Sequence, residues 1–245
     1  LKVLSLSTCC FSGPVFESST DEKIEEIQEE FTTFITKCNE VEKFSICHCK
    51  FDCRSCYMED ILPLISKWPN LKHLTVLQVK ELRTCQFLQS IAGACPKLTS
   101  LDLIFIGIPR VCHFLPNLTY ILAKSKELKF LRINQPGLYP MHPHIWKHIH
   151  KARALEGICL LTHLNTAIEN TTIVDAISKL PRLHLFHLIS STVGERFASA
   201  IKRVMVDNGV KQPDVKVKFP DSSFNNQRLT YLSNFTCKMR HLPLD

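Results

Sequence analysis

The residues best suited to chemistry lie in one short run, CHCKFDCRSC, residues 47–56. Cys47, Cys49, Cys53 and Cys56 stand there with His48, and Cys53 and Cys56 form a C-x-x-C pair. Thiolates and an imidazole at such spacing suit a tetrahedral zinc site, and a C-x-x-C pair alone suits thiol redox chemistry. A second run, MHPHIWKHIHKAR, sets His144 and His148 four residues apart, so that on a helix both would lie on one face. No third ligand stands near them, and a helix with Ile145, Trp146 and Ile149 turned inward is the favoured reading. No G-x-x-x-x-G-K, G-x-S-x-G or H-E-x-x-H occurs, and seven glycines leave little for phosphate-binding loops. The expectation is a protein with no catalytic residues, no cofactor and no metal of its own.

Composition narrows the partners. Apolar residues make up 45% of the 245 residues and charged residues 22%, ordinary usage for a globular chain. No apolar run is long enough to span a membrane, and the N-terminal residues lack the basic-then-apolar pattern of a signal peptide. The chain opens at Leu1 inside a patterned segment, which reads as a fragment with sequence missing upstream. The net charge of +7 is spread out, and its densest stretch, WKHIHKAR, alternates with apolar residues. Neither nucleic acid nor membrane is therefore an expected partner. Cys38, Cys85, Cys95, Cys112 and Cys159 each sit singly within apolar patterns. That usage suits reduced, buried thiols in the cytoplasm or nucleus. Sequons at Asn117, Asn170 and Asn234 are no more than chance supplies.

Stepping along the chain reveals what must position these residues. LKVLSLSTCCF begins at residue 1, and VEKFSICHCKF, LKHLTVLQVKEL and LTSLDLIFIGI begin at 41, 71 and 98. LKFLRINQPGL, LEGICLLTHL and LHLFHLISSTV follow at 128, 155 and 183. Each has apolar residues at its first, fourth and sixth positions, and a degenerate eighth copy is expected near 214. The long first interval, with CFSGPVFESS, reads as an inserted loop.

This pattern resembles the leucine-rich repeats, in particular the longer variety with cysteine or asparagine at the ninth position, typical of F-box and ribonuclease-inhibitor-like proteins. Cys9 and Cys49 hold that position; Val79, Ile106, Pro136, His163 and Ser191 hold it elsewhere. The resemblance covers essentially the whole chain, 1–245, as a single domain. It implies an α/β solenoid, a horseshoe with a parallel sheet on its concave face and helices on its convex face.

The same shape follows from periodicity. The L-x-L centre alternates with period two, so Leu4 and Leu6, or Leu101 and Leu103, share one side of a strand. STDEKIEEIQEEFTTFITKC predicts a helix capped by Ser19 or Thr20, with Ile24, Ile27, Phe31 and Phe34 on one face. EDILPLISKW predicts another. Ile173, Ile177 and Leu180 mark a further helix, and Phe197, Ile201, Val204 and Met205 one that stops near Gly209. A strand–helix unit of this size cannot bury its apolar face alone, so neighbours must stack.

That register takes the cysteine run apart. Phe44, Ile46, Cys49 and Phe51 are expected in the core, with Cys47 and His48 on or near the concave side. Cys53 and Cys56 fall beyond, in the turn that follows. Zinc would require Cys49 to leave the core, and the core reading is preferred.

On the concave face, positions three, five and seven point outward. The fifth position reads Ser5, Ser45, Thr75, Asp102, Arg132, Cys159 and His187. Asp102 and Arg132 can pair across adjacent strands, either as a solvated ion pair or as a partner contact. The seventh position reads Ser7, Cys47, Leu77, Ile104, Asn134, Leu161 and Ile189. Its apolar members, with Phe105, Phe130 and Leu185, form a patch that suits a protein partner, unless the tail FNNQRLTYLSNF folds back over it.

The family resemblance implies a substrate-recognition domain of an F-box protein in a cullin-based ubiquitin ligase. A Skp1-type adaptor would then dock on an F-box missing from this sequence, and the repeats would hold the substrate protein. The alternative is the repeat region of a nucleotide-binding immune receptor or a ribonuclease-inhibitor-like protein.

Overall fold

Three columns of side chains organise the chain. Val41, Leu71, Leu98, Leu128, Leu155 and Leu183 open successive repeats and are fully buried. Phe44, Leu74, Leu101, Leu131, Ile158 and Phe186 at the fourth position, with Ile46, Val76, Leu103, Ile133, Leu160 and Leu188 at the sixth, are each 2% exposed or less. A computed structural model of the protein describes residues 1–7, 10–11, 21–47, 49–51, 62–79, 85–105, 111–134, 144–161, 170–189 and 195–218.

The columns arise from eight parallel strands. These are β1 (Val3–Ser7), β3 (Lys43–Cys47), β5 (His73–Val79), β6 (Ser100–Phe105), β7 (Phe130–Asn134), β8 (Gly157–Leu161), β9 (Leu185–Ile189) and β10 (Asp214–Lys218). They pair in that order, with β1 and β10 at the edges. A short parallel pair, β2 (Cys10–Phe11) and β4 (Lys50–Phe51), lies beyond β1 and β3. Pairing keeps the repeat register through the seventh position, Ser5 facing Ser45, Ser45 facing Thr75, and so on to Cys159 facing His187; past Leu77 the β5–β6 pairing shifts by one, so that Val79 faces Phe105. Asp214 faces Leu185, a third-position residue, so the eighth copy starts at Gln212, slightly earlier than the sequence suggests.

An identical turn leads into six of the strands, β3 and β5 to β9. The first-position amide donates to the carbonyl three residues before it: Val41 to Cys38, Leu71 to Trp68, Leu98 to Cys95, Leu128 to Ser125, Leu155 to Ala152 and Leu183 to Leu180. The next residue's amide then reaches the neighbouring repeat, as in Lys72 to Glu42 and Lys129 to Thr99. Buried backbone groups are thereby paired before the ladder begins.

Helices connect the strands. They are α1 (Asp21–Lys37), α2 (Phe87–Ala94), α3 (Val111–Lys124), α4 (His144–Ile149), α5 (Asn170–Ser178) and α6 (Glu195–Asp207), with a 3₁₀ segment over Leu62–Lys67. Each supplies buried residues to one continuous core shared with the fourth- and sixth-position side chains. On α4, Ile145, Trp146 and Ile149 face that core, as the apolar spacing suggests. On α1, the core residue is Ile35, while Phe34 is 37% exposed, so the last turn buries the residue after the expected one. Ile35 lies four residues after Phe31 and three before Cys38, both packed partly against the core, which is the spacing of one helix face. Of the expected helix over 59–68, the described part, Leu62–Lys67, is a 3₁₀ segment in which Leu62 and Ile65, three residues apart, fall on one side. α6 is closed just past its end by Gly209, whose φ of +92° suits glycine. There the Val210 amide donates to the Met205 carbonyl, a Schellman closure. The proposed caps Ser19 and Thr20 lie outside the described residues, as do His48, Cys53 and Cys56.

Candidate functional site

The face of the sheet opposite the helices presents rows three, five and seven. Its fifth row runs Ser5, Ser45, Thr75, Asp102, Arg132, Cys159, His187 and Lys216 across adjacent strands. Asp102 and Arg132, directly opposite on β6 and β7, form a two-pronged ion pair. Arg132 Nε donates to Asp102 Oδ1 at 2.6 Å and Nη2 donates to Oδ2. The side chains are 6% and 14% exposed, so the solvated pair expected from sequence is instead a buried one. Burial by itself would lower the Arg132 pKa, but the Asp102 charge and hydrogen bonds outweigh it and hold the guanidinium more firmly protonated.

Cys159 follows in the row, opposite both Arg132 and His187. Burial pushes its thiol up to about 12, against a smaller pull from Arg132. It is a poor nucleophile there. His187 Nε2 stands 3.0 Å from Asp214 Oδ2 on β10, which Lys216 Nζ also approaches at 3.2 Å. Desolvation raises the Asp214 carboxyl, but His187 and then Lys216 more than reverse this, so its pKa is lowered.

The third and seventh rows flank these charges. Phe130 is half-buried beside Gly157, and a Cβ on Gly157 would come within 2.7 Å of Phe130 Cδ1. Leu185 follows in the same row and is buried. In the seventh row Leu77 is half-buried and Ile104 buried. Asn134 is 1% exposed, and neither its Oδ1 nor its Nδ2 has a hydrogen-bond partner among the described residues. The backbones of Leu161 and Ile189 continue that row, and Phe105 ends β6 opposite Val79. The side chains of Leu161, Ile189 and Phe105 lie outside the described residues.

Leu77, Ile104, Asp102, Phe130, Arg132, Asn134, Leu185 and His187 thus share one face. Ile104, Arg132, Asn134, Leu185 and His187 are buried there, so of the exposed apolar patch expected from sequence the described residues leave only half-buried Leu77 and Phe130. Sequence reading missed two contributors: Gly157, which makes room for Phe130, and Asp214, the partner of His187. Both stand in the aligned columns, where a glycine beside a phenylalanine was a usable signal.

The cysteine run does divide. Cys49 is 1% exposed in the helix-side core, its Sγ directed at the carbonyls of Cys47 and Leu6 at 3.4 and 3.7 Å. Cys47 turns to the other face, where its Sγ lies 3.2 Å from Ser45 Oγ. The two thiols point to opposite sides of the chain. The side chain of His144 lies outside the described residues. Asn117 is buried and accepts a hydrogen bond from Gln89 Nε2 at 2.6 Å, an unsuitable place for a glycan. Among the described residues no helix is long and apolar enough to cross a membrane.

Among known proteins, no family model matches the chain. A stretch of 129 residues, 53% of this chain, is 25% identical to human F-box/LRR-repeat protein 18. The match spans 17% of that protein's length. Two solved structures of dihydropteroate synthase from Xanthomonas albilineans align over 96% and 99% of this chain and 93% and 94% of theirs. Their identities are 10% and 9% and their TM-scores 0.27 and 0.26, a likeness that carries no argument about fold or activity.

Proposed function

We propose that the chain is a leucine-rich-repeat solenoid of the cysteine-containing, F-box type, and that its concave sheet holds a protein partner. The observation that carries this reading is the unbroken register of the L-x-x-L-x-L motif across eight parallel strands. It sets Leu77, Asp102, Arg132 and Phe130 on one surface. Such arrays present extended recognition faces, and the partial similarity to an F-box/LRR-repeat protein favours this branch of them. In this reading the protein works in the cytoplasm or nucleus as the substrate-recognition part of a ubiquitin ligase, with no catalysis of its own. A Skp1-type adaptor binds through an F-box encoded upstream.

Co-purification of the full-length gene product with the adaptor tests the reading. Stoichiometric adaptor supports it. An upstream nucleotide-binding P-loop module with no adaptor bound overturns it in favour of an immune-receptor repeat region. Leu77→Glu, on the half-buried part of the face, is expected to abolish capture of the partner so identified while the melting temperature stays near that of the unmodified protein.

A further inference from the structure

Four of the turns that lead into the strands carry the same exposed charge. Each is closed by the first-position amide: CPKL (95–98), SKEL (125–128), ARAL (152–155) and LPRL (180–183). The first and last residues of each turn are 2% exposed or less, so the residues between them are forced outward. One of these is always a cation: Lys97, Lys126, Arg153 and Arg182, all exposed. Lys211, also exposed, stands just before the eighth copy.

The strands are parallel and pair in sequence order, so their starts share one rim of the sheet. Strand spacing sets neighbouring turns about 4.8 Å apart, and five of them cover about 19 Å. Lys124, Lys151 and Lys179, exposed at or just past the helix ends, deepen the row. The same turns and helix ends hold two carboxylates, Glu127 and Asp207. Eight cations against two leave a surplus of six, nearly all of the chain's +7. A charge that looks spread out along the sequence is gathered by the fold onto one rim.

The helix dipole accounts for part of this. It favours a cation in the last turn of a helix, which suits Lys124, but its effect fades beyond that turn. Lys97 lies three residues past α2 and Lys211 four past α6. The next column inward behaves differently. At the second position of the repeats Glu42 binds Lys2 and Lys72 at 3.3 and 2.8 Å, and Lys129 binds Glu156 at 3.2 Å, so opposite signs meet and cancel. In the turns, Lys97 and Lys126 bond neutral groups, the Asn70 side chain and the Ala123 carbonyl. Of the eight cations, Lys179 alone has a carboxylate within 4.0 Å among the described residues, the exposed Asp175. Like charges side by side on adjacent strands oppose folding, and a ligand that brings negative charge in a line would relieve them.

We infer that this rim binds an acidic stretch of another protein, laid across the starts of β6 to β10. The surface is distinct from the concave face. Its turns offer no aromatic ring on which a base could stack, and no large apolar side chain is exposed in them to enter a bilayer. Carboxylates on an extended chain need neither.

Fluorescence anisotropy of a labelled peptide of about ten glutamates, long enough at about 3.4 Å per residue to span the row, tests this on the full chain. The peptide should bind at low salt and weaken as salt rises. Lys126→Gln, Arg153→Gln, Arg182→Gln together should weaken binding at least about tenfold. Lys2→Gln, Arg196→Gln, Lys216→Gln remove the same charge from exposed sites off this row and should change binding less than about twofold. Absence of binding, or equal losses in the two variants, overturns the inference. Tighter binding of an oligothymidylate of equal length, or of phosphatidylserine vesicles, lost in the same rim variant, also overturns it, since the row then serves nucleic acid or lipid. Should the rim variant not fold, carbodiimide coupling of the peptide to the unmodified chain decides. Crosslinks should map to Lys97, Lys126, Lys151 and Lys179, and crosslinks spread evenly over Lys2, Lys72 and Lys202 overturn the inference. Leu77→Glu, which tests the concave face, should leave peptide binding unchanged. Loss of binding in that variant places the peptide on the concave face and overturns the inference.

Discussion

Arg132 and Asp102 hold opposite charges almost out of water, and the consequence is asymmetric. Attraction and two hydrogen bonds offset desolvation only while both partners remain. Arg132→Met leaves the Asp102 carboxylate in a site that no longer compensates it, and should cost about 3–5 kcal/mol in urea unfolding. The double change Asp102→Leu, Arg132→Met should cost far less, because no lone charge is stranded. Equal losses for single and double variants would show that the pair contributes only by packing. His73 makes a second prediction at this scale. Burial, aided by Lys43 and Lys72 and opposed by Glu42, lowers its pKa from an ordinary 6.5. The unfolded chain therefore takes up this proton more readily than the folded one, and stability falls as pH drops through 6.5 toward the folded value. Unfolding free energy measured from about pH 7.5 to about pH 5 should decline, and His73→Gln should flatten that slope. A variant with the same slope as the unmodified protein would clear His73 of the effect. The pairing of Asp102 with Arg132 was legible from aligned columns, because adjacent strands in register put equal positions side by side. Their burial was not, since it depends on what lies above the sheet.

At the scale of elements, the ends matter as much as the stripes. Gly209 closes α6 with φ of +92°, a conformation in which any Cβ is strained, although nothing lies within 4 Å of the place one would occupy. Gly209→Ala should therefore destabilise by about 1 kcal/mol through backbone strain alone, a fall of about 2–4 °C in melting temperature for a chain of this size. Gly209→Asn should lose less, because asparagine tolerates this region. Strands and their order could be read from period two alone. Helix phase was harder: Phe34 and Ile35 are adjacent and both apolar, and only packing against the rest of the core, where Ile35 is fully buried and Phe34 is not, selects Ile35. The 3₁₀ segment at Leu62–Lys67 escaped detection for a similar reason. Apolar residues three apart fit the first turn of either helix, and the distance to be bridged decides between them.

For the whole molecule, stacking makes stability a matter of neighbours. Leu103 on β6 is fully buried between flanking repeats, whereas Leu6 on the edge strand β1 packs only partly against the core. Leu103→Ala should cost about 2–5 kcal/mol and Leu6→Ala clearly less, as chemical denaturation would show. Equal costs would mean that β1 is covered as fully as the interior strands. The amino-acid sequence by itself determined the repeat, the strand register and the side of each strand that faces the helices. These follow from residue type and spacing, which local backbone geometry converts directly into position. Tertiary structure alone decided the other side. A polar or apolar residue in an outward row carries the same local signal whether water or a second layer lies above it. Thus the burial of Arg132, Asn134 and Cys159 emerges only once distant segments are in place, whereas the opposed directions of Cys47 and Cys49 already followed from the repeat register.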